Sequence, residues 1–345
     1  MDYADFNFFG SGLSGLGYQT GLCATATDNV VAIGTDAGSS NSGNGNIFIG
    51  YHSGFGLTAT LTGVGNTFIG NQTAISHTTG ADCTMVGNNA GFVNSTGTQN
   101  TFVGSNAGLS NTIGTQNTFI GNSAGRFNLD ATGNTFVGHF CGYNNSTGYA
   151  NTGVGQYAGY SVTTGALSTF IGTSAGRLSN TSSNNTFVGQ NAGYNLTGAS
   201  AGGNTAVGTA ALFTMTTGIE NLAFGVSAGR GLTNGSQNTF IGYYAGYSGQ
   251  VDGVSNSTAI GRGAVTTASN QMVFGNASVL TNIFNGVTQS KTYTLAGLLS
   301  AITTPVAGMR AIVTDAVGPV FLGALTGGGS ATTPVFYNGT AWVCG

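Results

Sequence analysis

Few residues in this sequence could carry chemistry, and their spacing is unlike that of a catalytic centre. The 345 residues include nine Asp and Glu, six Lys and Arg, three His and four Cys. A glycosidase needs two carboxyl groups within about 10 Å, and the scattered acidic residues indicate no such pair. The histidines share no repeat position and the cysteines form no Cys-x-x-Cys pair, so neither predicts a metal site or a disulfide framework. We therefore expect no enzyme and no cofactor, with a depolymerase site between subunits as the one catalytic alternative.

Aromatic and Arg residues at a regular spacing are the strongest candidates for binding. Each lies five residues after a glycine that recurs along the chain, and the set comprises Tyr143, Tyr160, Arg177, Tyr194, Arg230 and Tyr247. Aromatic and guanidinium groups on a surface could stack on the sugars of a host glycan. They could equally pack at a seam between chains through cation–π contacts. Both interpretations remain open at this point.

The composition excludes several classes of protein. Charged residues make up 4% of the chain, which contains 62 Gly and only 3 Pro. So few charges give no electrostatic surface for nucleic acid, and no apolar run approaches the roughly 20 residues of a membrane span. The acidic start, Met1 to Phe6, lacks the basic and apolar regions of a secretory signal. We expect no nucleic-acid partner and no membrane insertion.

An internal repeat positions the candidate residues. The pattern Asn-Thr-Phe-Ile/Val-Gly and its variants end at glycines 34, 50, 70, 87, 104, 121, 138, 155, 172, 189, 208, 225, 242, 261 and 275, and nine of the fourteen intervals are 17 residues. A unit of 17 residues is too short for a strand–helix–strand unit of about 30 residues. It predicts one coil of a parallel β-solenoid, an all-β rod of about fifteen coils over residues 29–286.

Two neighbouring positions of the strand are apolar throughout the repeat. The residue before each repeat glycine is mostly Ile or Val (the Ile/Val column), and the residue before that is mostly Phe (the Phe column). Adjacent residues in a strand point to opposite faces, so we expect one column inside the coil and the other, the Phe column, sealed by partner chains. This predicted interface comprises Phe48, Phe68, Phe102, Phe119, Phe136, Phe170, Phe187 and Phe240. The alternative is a monomer in which the Phe column folds inward.

Asn and Thr also recur within the repeat. The Asn column, four residues before the repeat glycine, could bind a ligand or could bond along the stack, and stacked Asn side chains usually do the latter. The Thr beside it raises the possibility of an ice-binding surface. A single Thr per coil next to a Phe is a thin array for that purpose.

The units Val30-Val31-Ala32-Ile33-Gly34 and Ser257-Thr258-Ala259-Ile260-Gly261 resemble the head repeats of trimeric autotransporter adhesins, the YadA-like head. The last interval, 14 residues, matches the usual repeat of that family. The resemblance implies a left-handed parallel β-roll that trimerises about its long axis. Such adhesins carry a signal peptide and a membrane anchor, and neither is visible in this sequence.

The region after the repeat resembles the end of a bacteriophage tail fibre. The resemblance rests on residues 270–276, 307–316 and 334–342, and it implies a small β tip over residues 287–345. Tyr337-Asn338-Gly339-Thr340 predicts a tight hairpin, and we expect the tip to present Tyr337, Asn338 and Trp342. A short helix is also predicted around residues 295–302.

Together these observations predict a homotrimeric tail fibre of a virion, located outside the cell. Residues 1–28 would attach the rod to a baseplate or to another fibre protein, and the tip would bind a host glycan or protein. Two other classes compete with this interpretation: a subunit of an extracellular filament or adhesin, and an ice-binding solenoid.

Overall fold

The structure is a computed structural model that describes residues 13–20, 29–56, 60–198, 201–279, 292–293, 310–316, 331–337 and 340–344. The chain divides into two compact units, Met1–Leu280 and Thr281–Gly345. The division lies six residues before the predicted start of the tip at residue 287.

The first unit is one parallel sheet whose strands follow sequence order. Strands β1 to β16 are Leu13–Leu16, Val30–Ile33, Ile47–Ile49, Thr67–Ile69, Thr84–Val86, Thr101–Val103, Thr118–Ile120, Thr135–Val137, Thr152–Val154, Thr169–Ile171, Thr186–Val188, Thr205–Val207, Leu222–Phe224, Thr239–Ile241, Thr258–Ile260 and Met272–Phe274. Each strand pairs in parallel with the next, and like stacks on like, as where Phe102 is in register with Phe119. The described residues contain no helix. The predicted all-β solenoid of about fifteen coils is confirmed, although its first strand lies within residues 1–28, which we predicted to be separate.

Glycine occupies two turn positions in most coils, while Ala74 and Leu212 hold the second of these positions in two of them. The repeat glycine that ends β7, Gly121, has a φ of 135°, and a Cβ there would lie 2.6 Å from the carbonyl oxygen of Gly138 in the next coil. Four residues later Gly125 has a φ of 56°, and a Cβ would meet the ring of Phe119 at 2.6 Å. Side chains are excluded at both positions. The 17-residue coil therefore closes tightly around its strand.

The Phe column fills the interior of the coil. All eight Phe side chains of the predicted interface are completely buried within the single chain, together with the Ala that lies three residues after the repeat glycine in most coils. Our expectation that these Phe residues need cover from partner chains is therefore wrong. The interior is wide enough for a ring because the glycine of the second turn leaves space beside it.

The Ile/Val column points away from the core. Several of its members are between 36% and 57% exposed, namely Ile33, Ile120, Val154, Ile171, Phe224, Ile241 and Phe274. The Thr two positions earlier is on the same side of the strand, since residues i and i+2 share a face, and most Thr residues of this column are half-buried. The outer face of the sheet therefore carries parallel columns of Thr and of Ile or Val.

The second unit contains a four-stranded sheet. Its strands are β17 (Thr292–Tyr293), β18 (Arg310–Ala316), β19 (Ala331–Tyr337) and β20 (Trp342–Cys344), and β19 pairs antiparallel with both β18 and β20. The register pairs Tyr337 with Trp342, so four residues join the strands and the turn is longer than the two-residue turn expected. Trp342 is buried rather than presented. Asn338 and the predicted helix lie outside the described residues.

Candidate binding edge

The side chains that follow the repeat glycine gather along one edge of the solenoid. The backbone turns there through a left-handed residue two positions after the glycine, with φ near 58° at both Tyr157 and Tyr244. We call this set the aromatic edge; it comprises Arg126, Phe127, Phe140, Tyr143, Tyr157, Tyr160, Arg177, Tyr194, Phe213, Arg230, Tyr243, Tyr244, Tyr247 and Arg262. It contains all six residues that the sequence predicted for glycan binding or for a seam.

The centre of the aromatic edge is a block of stacked rings. Tyr143 and Tyr160 are parallel, with centroids 5.1 Å apart and 6° between their planes. Phe140 and Tyr157 stack beside them at 5.5 Å and 18°. The edge of Phe140 also meets Tyr143 at 5.1 Å. The stacking distance is close to the spacing of neighbouring strands, about 4.8 Å, so one ring from each coil continues the column.

Arg side chains extend this column in both directions. The guanidinium of Arg177 lies 4.6 Å from the ring centroid of Tyr157 and 5.8 Å from that of Tyr194. Arg230 lies between Phe213, at 5.1 Å, and Tyr247, at 5.3 Å. Cation–π contacts at partly exposed positions contribute about 0.5–1 kcal/mol each. The six predicted residues therefore contribute to one ladder within a single chain, an arrangement that neither of our two interpretations anticipated.

A cleft opens at the C-terminal end of the aromatic edge. It has a volume of about 360 Å³ and is lined by Tyr244, Tyr247, Ser248, Arg262, Gly263 and Asn276. The rings of Tyr244 and Tyr247 are 4.8 Å apart, and the guanidinium of Arg262 lies 5.8 Å from the ring of Tyr243. Of the lining residues, only Tyr247 belongs to the set predicted from the sequence for binding.

The cleft has a local cause that the sequence could have revealed. The second position after the repeat glycine holds Phe140, Tyr157 or Tyr244 in three coils of the edge, whereas the coil that follows Tyr244 has Gly263 there. With no side chain in that coil, the space beside Tyr244 stays open. A single glycine in a column of larger side chains was the signal.

Positive charge is concentrated on the aromatic edge. Each Arg whose side chain the structure describes lies there, 5.8 Å or less from at least one ring centroid. Among the acidic residues whose side chains the structure describes, only Asp36 lies just after a repeat glycine, where it pairs with His52 at 3.1 Å. The others, Asp82, Asp130, Glu220 and Asp252, are exposed in the links between coils. The edge is therefore suited to an anionic ligand.

Two ladders of Asn occupy the interior. In the Asn column, the backbone N–H of Asn117 donates to Oδ1 of Asn100 at 3.0 Å, and the same bond recurs from Asn134 to Asn117. This bonding confirms the structural interpretation of the column. A second ladder, which we did not predict, lies seven residues after the repeat glycine. It links Asn94, Asn111, Asn128 and Asn145 by Nδ2 to Oδ1 bonds of 2.6–2.7 Å.

The remaining chemistry-bearing residues form no further site in the described part of the chain. Cys83 and Cys141 are buried free thiols, and burial raises the pKa of Cys83 to about 11 and that of Cys141 to about 12. No group of three His, Cys, Asp or Glu residues that could hold a metal ion occurs among the residues described. The same residues include no helix that is long and apolar enough to cross a bilayer.

Comparison with known proteins assigns no role to these surfaces. No protein-family model matches the chain, and no curated protein matches it at a significant level. The functional interpretation therefore rests on the solenoid, its outer face and its aromatic edge.

Proposed function

We propose that this protein is the subunit of a trimeric fibre, a rigid rod with a C-terminal β module that serves attachment to a host surface. The resemblance of the repeat to trimeric adhesin heads and of the last 75 residues to phage fibre ends motivates the proposal. The observation that carries it is the exposed Ile/Val column, which needs a partner surface. The virion is the proposed location, with a baseplate or another fibre protein as the partner of residues 1–28.

The outer face of the sheet is the proposed trimer interface. Its Ile/Val column continues from one strand to the next, and at about 4.8 Å per strand sixteen strands extend over roughly 70 Å. A monomer seldom exposes a continuous apolar patch of more than a few hundred Å², whereas isolated exposed Leu or Ile residues need no explanation. The surface that a partner chain would cover is therefore the Ile/Val column, since the Phe column is inside.

The bonding between coils suits a spacer. Each coil is hydrogen-bonded to the next at the strand and again at the turns, as where the Gly121 N–H donates to the carbonyl of Val103 at 2.7 Å and the Gly108 N–H to that of Ala124 at 3.0 Å. The Asn ladders add side-chain bonds along the same direction. Such a stack resists bending because a bend must open bonds in every coil on its outer side.

Sedimentation equilibrium on the full chain tests the trimer. We expect three times the monomer mass for the wild type and a smaller mass for the double variant Ile120→Lys/Ile171→Lys, since both side chains are 40% exposed on the outer face. Leu129→Lys is the matched control, because Leu129 is 41% exposed but lies in a link. A wild-type monomer that keeps its fold would contradict the trimer.

Electron microscopy distinguishes the fibre from the filament. We expect separate rods of uniform length from the purified protein, and labelled rods on virus particles. Regular end-to-end polymers without particles would favour the extracellular filament instead.

One observation favours ice binding as a second candidate. The Thr column stands beside the Ile/Val column on the outer face, not beside the Phe column as we had expected, so each coil offers a hydroxyl and a methyl-rich group to the same surface. Thermal hysteresis by the wild type, lost in Ile120→Lys/Ile171→Lys, would support this function. Since a trimer interface and an ice surface would need the same face, a stable trimer without hysteresis would rule it out.

A further inference from the structure

We propose that the cleft at the C-terminal end of the aromatic edge binds an anionic sugar, a pyranose ring that bears a carboxylate or a sulfate. The inference deepens the proposed function, because it places a receptor-binding site on the rod itself in addition to the tip. All of the lining residues belong to the first unit of one chain.

The rings provide the surface for the sugar. Tyr244 and Tyr247 are 37% and 36% exposed, with 4.8 Å between their centroids and 30° between their planes. Two neighbouring rings of this kind offer an apolar face of the size of a pyranose. In the centre of the edge the corresponding faces are covered by the rings of adjacent coils, as in the stack of Tyr143 on Tyr160.

The guanidinium of Arg262 provides the charge recognition. Arg177 and Arg230 each lie between rings of different coils, whereas among the described residues the only ring at cation–π distance from Arg262 is that of Tyr243. No carboxylate of the described residues lies within ion-pair distance of Arg262. A guanidinium binds carboxylate or sulfate oxygens through two parallel hydrogen bonds, so a planar or tetrahedral anion fits this position better than a neutral sugar.

An amide group completes the set of polar contacts. Oδ1 of Asn276 accepts a hydrogen bond from the backbone N–H of Ser278 at 3.0 Å, which fixes the side chain. Its Nδ2 has no hydrogen-bond partner among the described residues and lies beside Gly263, where an added Cβ would be 3.3 Å away. A fixed amide donor next to two rings and a guanidinium is the small set of convergent polar groups that typifies a ligand cleft.

Calorimetric titration of the full-length protein tests the site. The probes are a hyaluronan hexasaccharide, which carries carboxylates, a sulfated maltohexaose, and neutral maltohexaose. We expect at least one anionic probe to bind tenfold or more tightly than the neutral one, and the preferred probe identifies the anion. Arg262→Gln should weaken that binding at least tenfold, and Tyr247→Ala should abolish it.

A variant that fills the cleft separates the site from the edge as a whole. Gly263 has a φ of 63°, and Asn adopts the left-handed conformation readily; Asn89 and Asn106 do so at the same position of other coils. Gly263→Asn should therefore fold normally and block binding. The controls Tyr160→Ala and Arg177→Gln, in the closed part of the edge, should leave the affinity unchanged.

The outcomes distinguish this inference from the proposed function. Absence of binding by a correctly assembled trimer would overturn the cleft site and leave the fibre intact. Equal affinity for the three probes, or equal losses in Arg177→Gln and Arg262→Gln, would also overturn it. A wild-type monomer that binds the anionic probe through Arg262 would instead uphold the cleft and contradict the fibre.

Discussion

Two regions of the solenoid fill the same interior in different ways. In the coils formed by residues 104–145, the Phe column supplies Phe119 and Phe136, and the position seven residues after the repeat glycine holds Asn128 and Asn145. In the coils formed by residues 205–235, the Phe column has Ala206 and Ala223 instead, and the position seven residues after the repeat glycine holds Met215 and Leu232. All eight side chains are buried.

The comparison shows that these coils fill the interior with different pairs of residues. Where Ala206 and Ala223 take the place of Phe, the apolar Met215 and Leu232 take the place of the ladder Asn, whereas the coil of Ala32 keeps a buried Asn41. The two positions contact each other directly in the coil of Phe68 and His77, whose rings are 4.9 Å apart. In the coil of Gly153, which has no side chain in the Phe column, two other residues fill the space. Val162 replaces the ladder Asn, and Sγ of Cys141 lies only 2.6 Å from the place where a Cβ on Gly153 would be.

The largest effect should come from emptying the Phe region. Phe119 stacks between Phe102, at 5.0 Å, and Phe136, at 5.4 Å. Phe119→Ala leaves a cavity, and the tight glycine turns prevent the coil from closing around it. We therefore expect a loss of about 3–5 kcal/mol in the free energy of unfolding. Urea denaturation at one fixed protein concentration measures it. A loss below about 1 kcal/mol would show that the coil can close around a smaller residue.

A double variant sharpens the same comparison. Phe119→Ala/Asn128→Leu copies the pair Ala223 and Leu232, so we expect it to be less destabilised than the sum of the two single variants, by a coupling of about 0.5–3 kcal/mol. Strict additivity would contradict the exchange of volume between the two positions.

Breaking the inner Asn ladder should have the next largest effect. Nδ2 of Asn128 donates to Oδ1 of Asn111 at 2.6 Å, and its own Oδ1 accepts from Asn145 at 2.7 Å. Asn128→Ala leaves the buried Oδ1 of Asn111 without its donor, at a cost of about 1–3 kcal/mol, while Nδ2 of Asn145 keeps its bond to the carbonyl of Gly148. Thermal unfolding measures the loss. The exposed Asn122 is the control, and Asn122→Ala should change stability by no more than about 0.5 kcal/mol.

His77 makes the start of this ladder sensitive to pH. Its Nε2 donates to the carbonyl of Gly80 at 2.8 Å, and its Nδ1 accepts from Nδ2 of Asn94 at 3.0 Å. Burial lowers the pKa of His77. The carbonyl groups of Gly80 and Asn94, to which the protonated ring can donate from both nitrogens, offset only part of that shift. A lowered folded pKa favours the neutral ring, so its stabilisation is present above the ordinary value of about 6.5 and is lost as pH falls through the folded pKa.

Unfolding free energies measured from pH 7.5 to pH 5 should show that loss, at no more than about 1.4 kcal/mol per pH unit. His77→Asn extends the ladder with its own residue type and should reduce the slope. An unchanged slope in His77→Asn would show that His77 does not titrate in this range.

The smallest effect concerns Cys141, which occupies the slot that Ala fills in neighbouring coils. Burial raises the pKa of its thiol to about 12, so we expect no reaction with a thiol-specific disulfide reagent at pH 8 until urea unfolds the chain. Cys141→Ala should cost about 1 kcal/mol, since the space beside Gly153 is then only partly filled. Rapid labelling of Cys141 in the native protein would contradict the packing.

The repeat made most of the fold predictable from sequence. The constant interval and the small residues at the turns determine the coil, and a stack of identical coils leaves little choice of topology. The alternation of polar and apolar residues could not predict which apolar column lies inside. A three-residue strand with Phe and Ile next to each other has two apolar faces. The deciding clue was Gly125 and its equivalents, which leave room for a ring on the inner side only.

The candidate site was predictable only in part. The spacing of five residues after a repeat glycine identified Tyr247. Tyr244, Arg262 and Asn276 lie only one or two residues after their repeat glycines, so that spacing did not include them. Their approach depends on where the turn places each side chain and on the absence of one at Gly263. A pattern of residue types does not contain that geometry.

The irregular intervals of 16, 19 and 20 residues, all accommodated in the links without disturbing the register of the strands, have an evolutionary consequence. Duplication or deletion of one unit in the gene would lengthen or shorten the rod by about 4.8 Å while its cross-section stays the same. The length of the rod can thus change in fixed increments of one coil without any change in the rest of the protein.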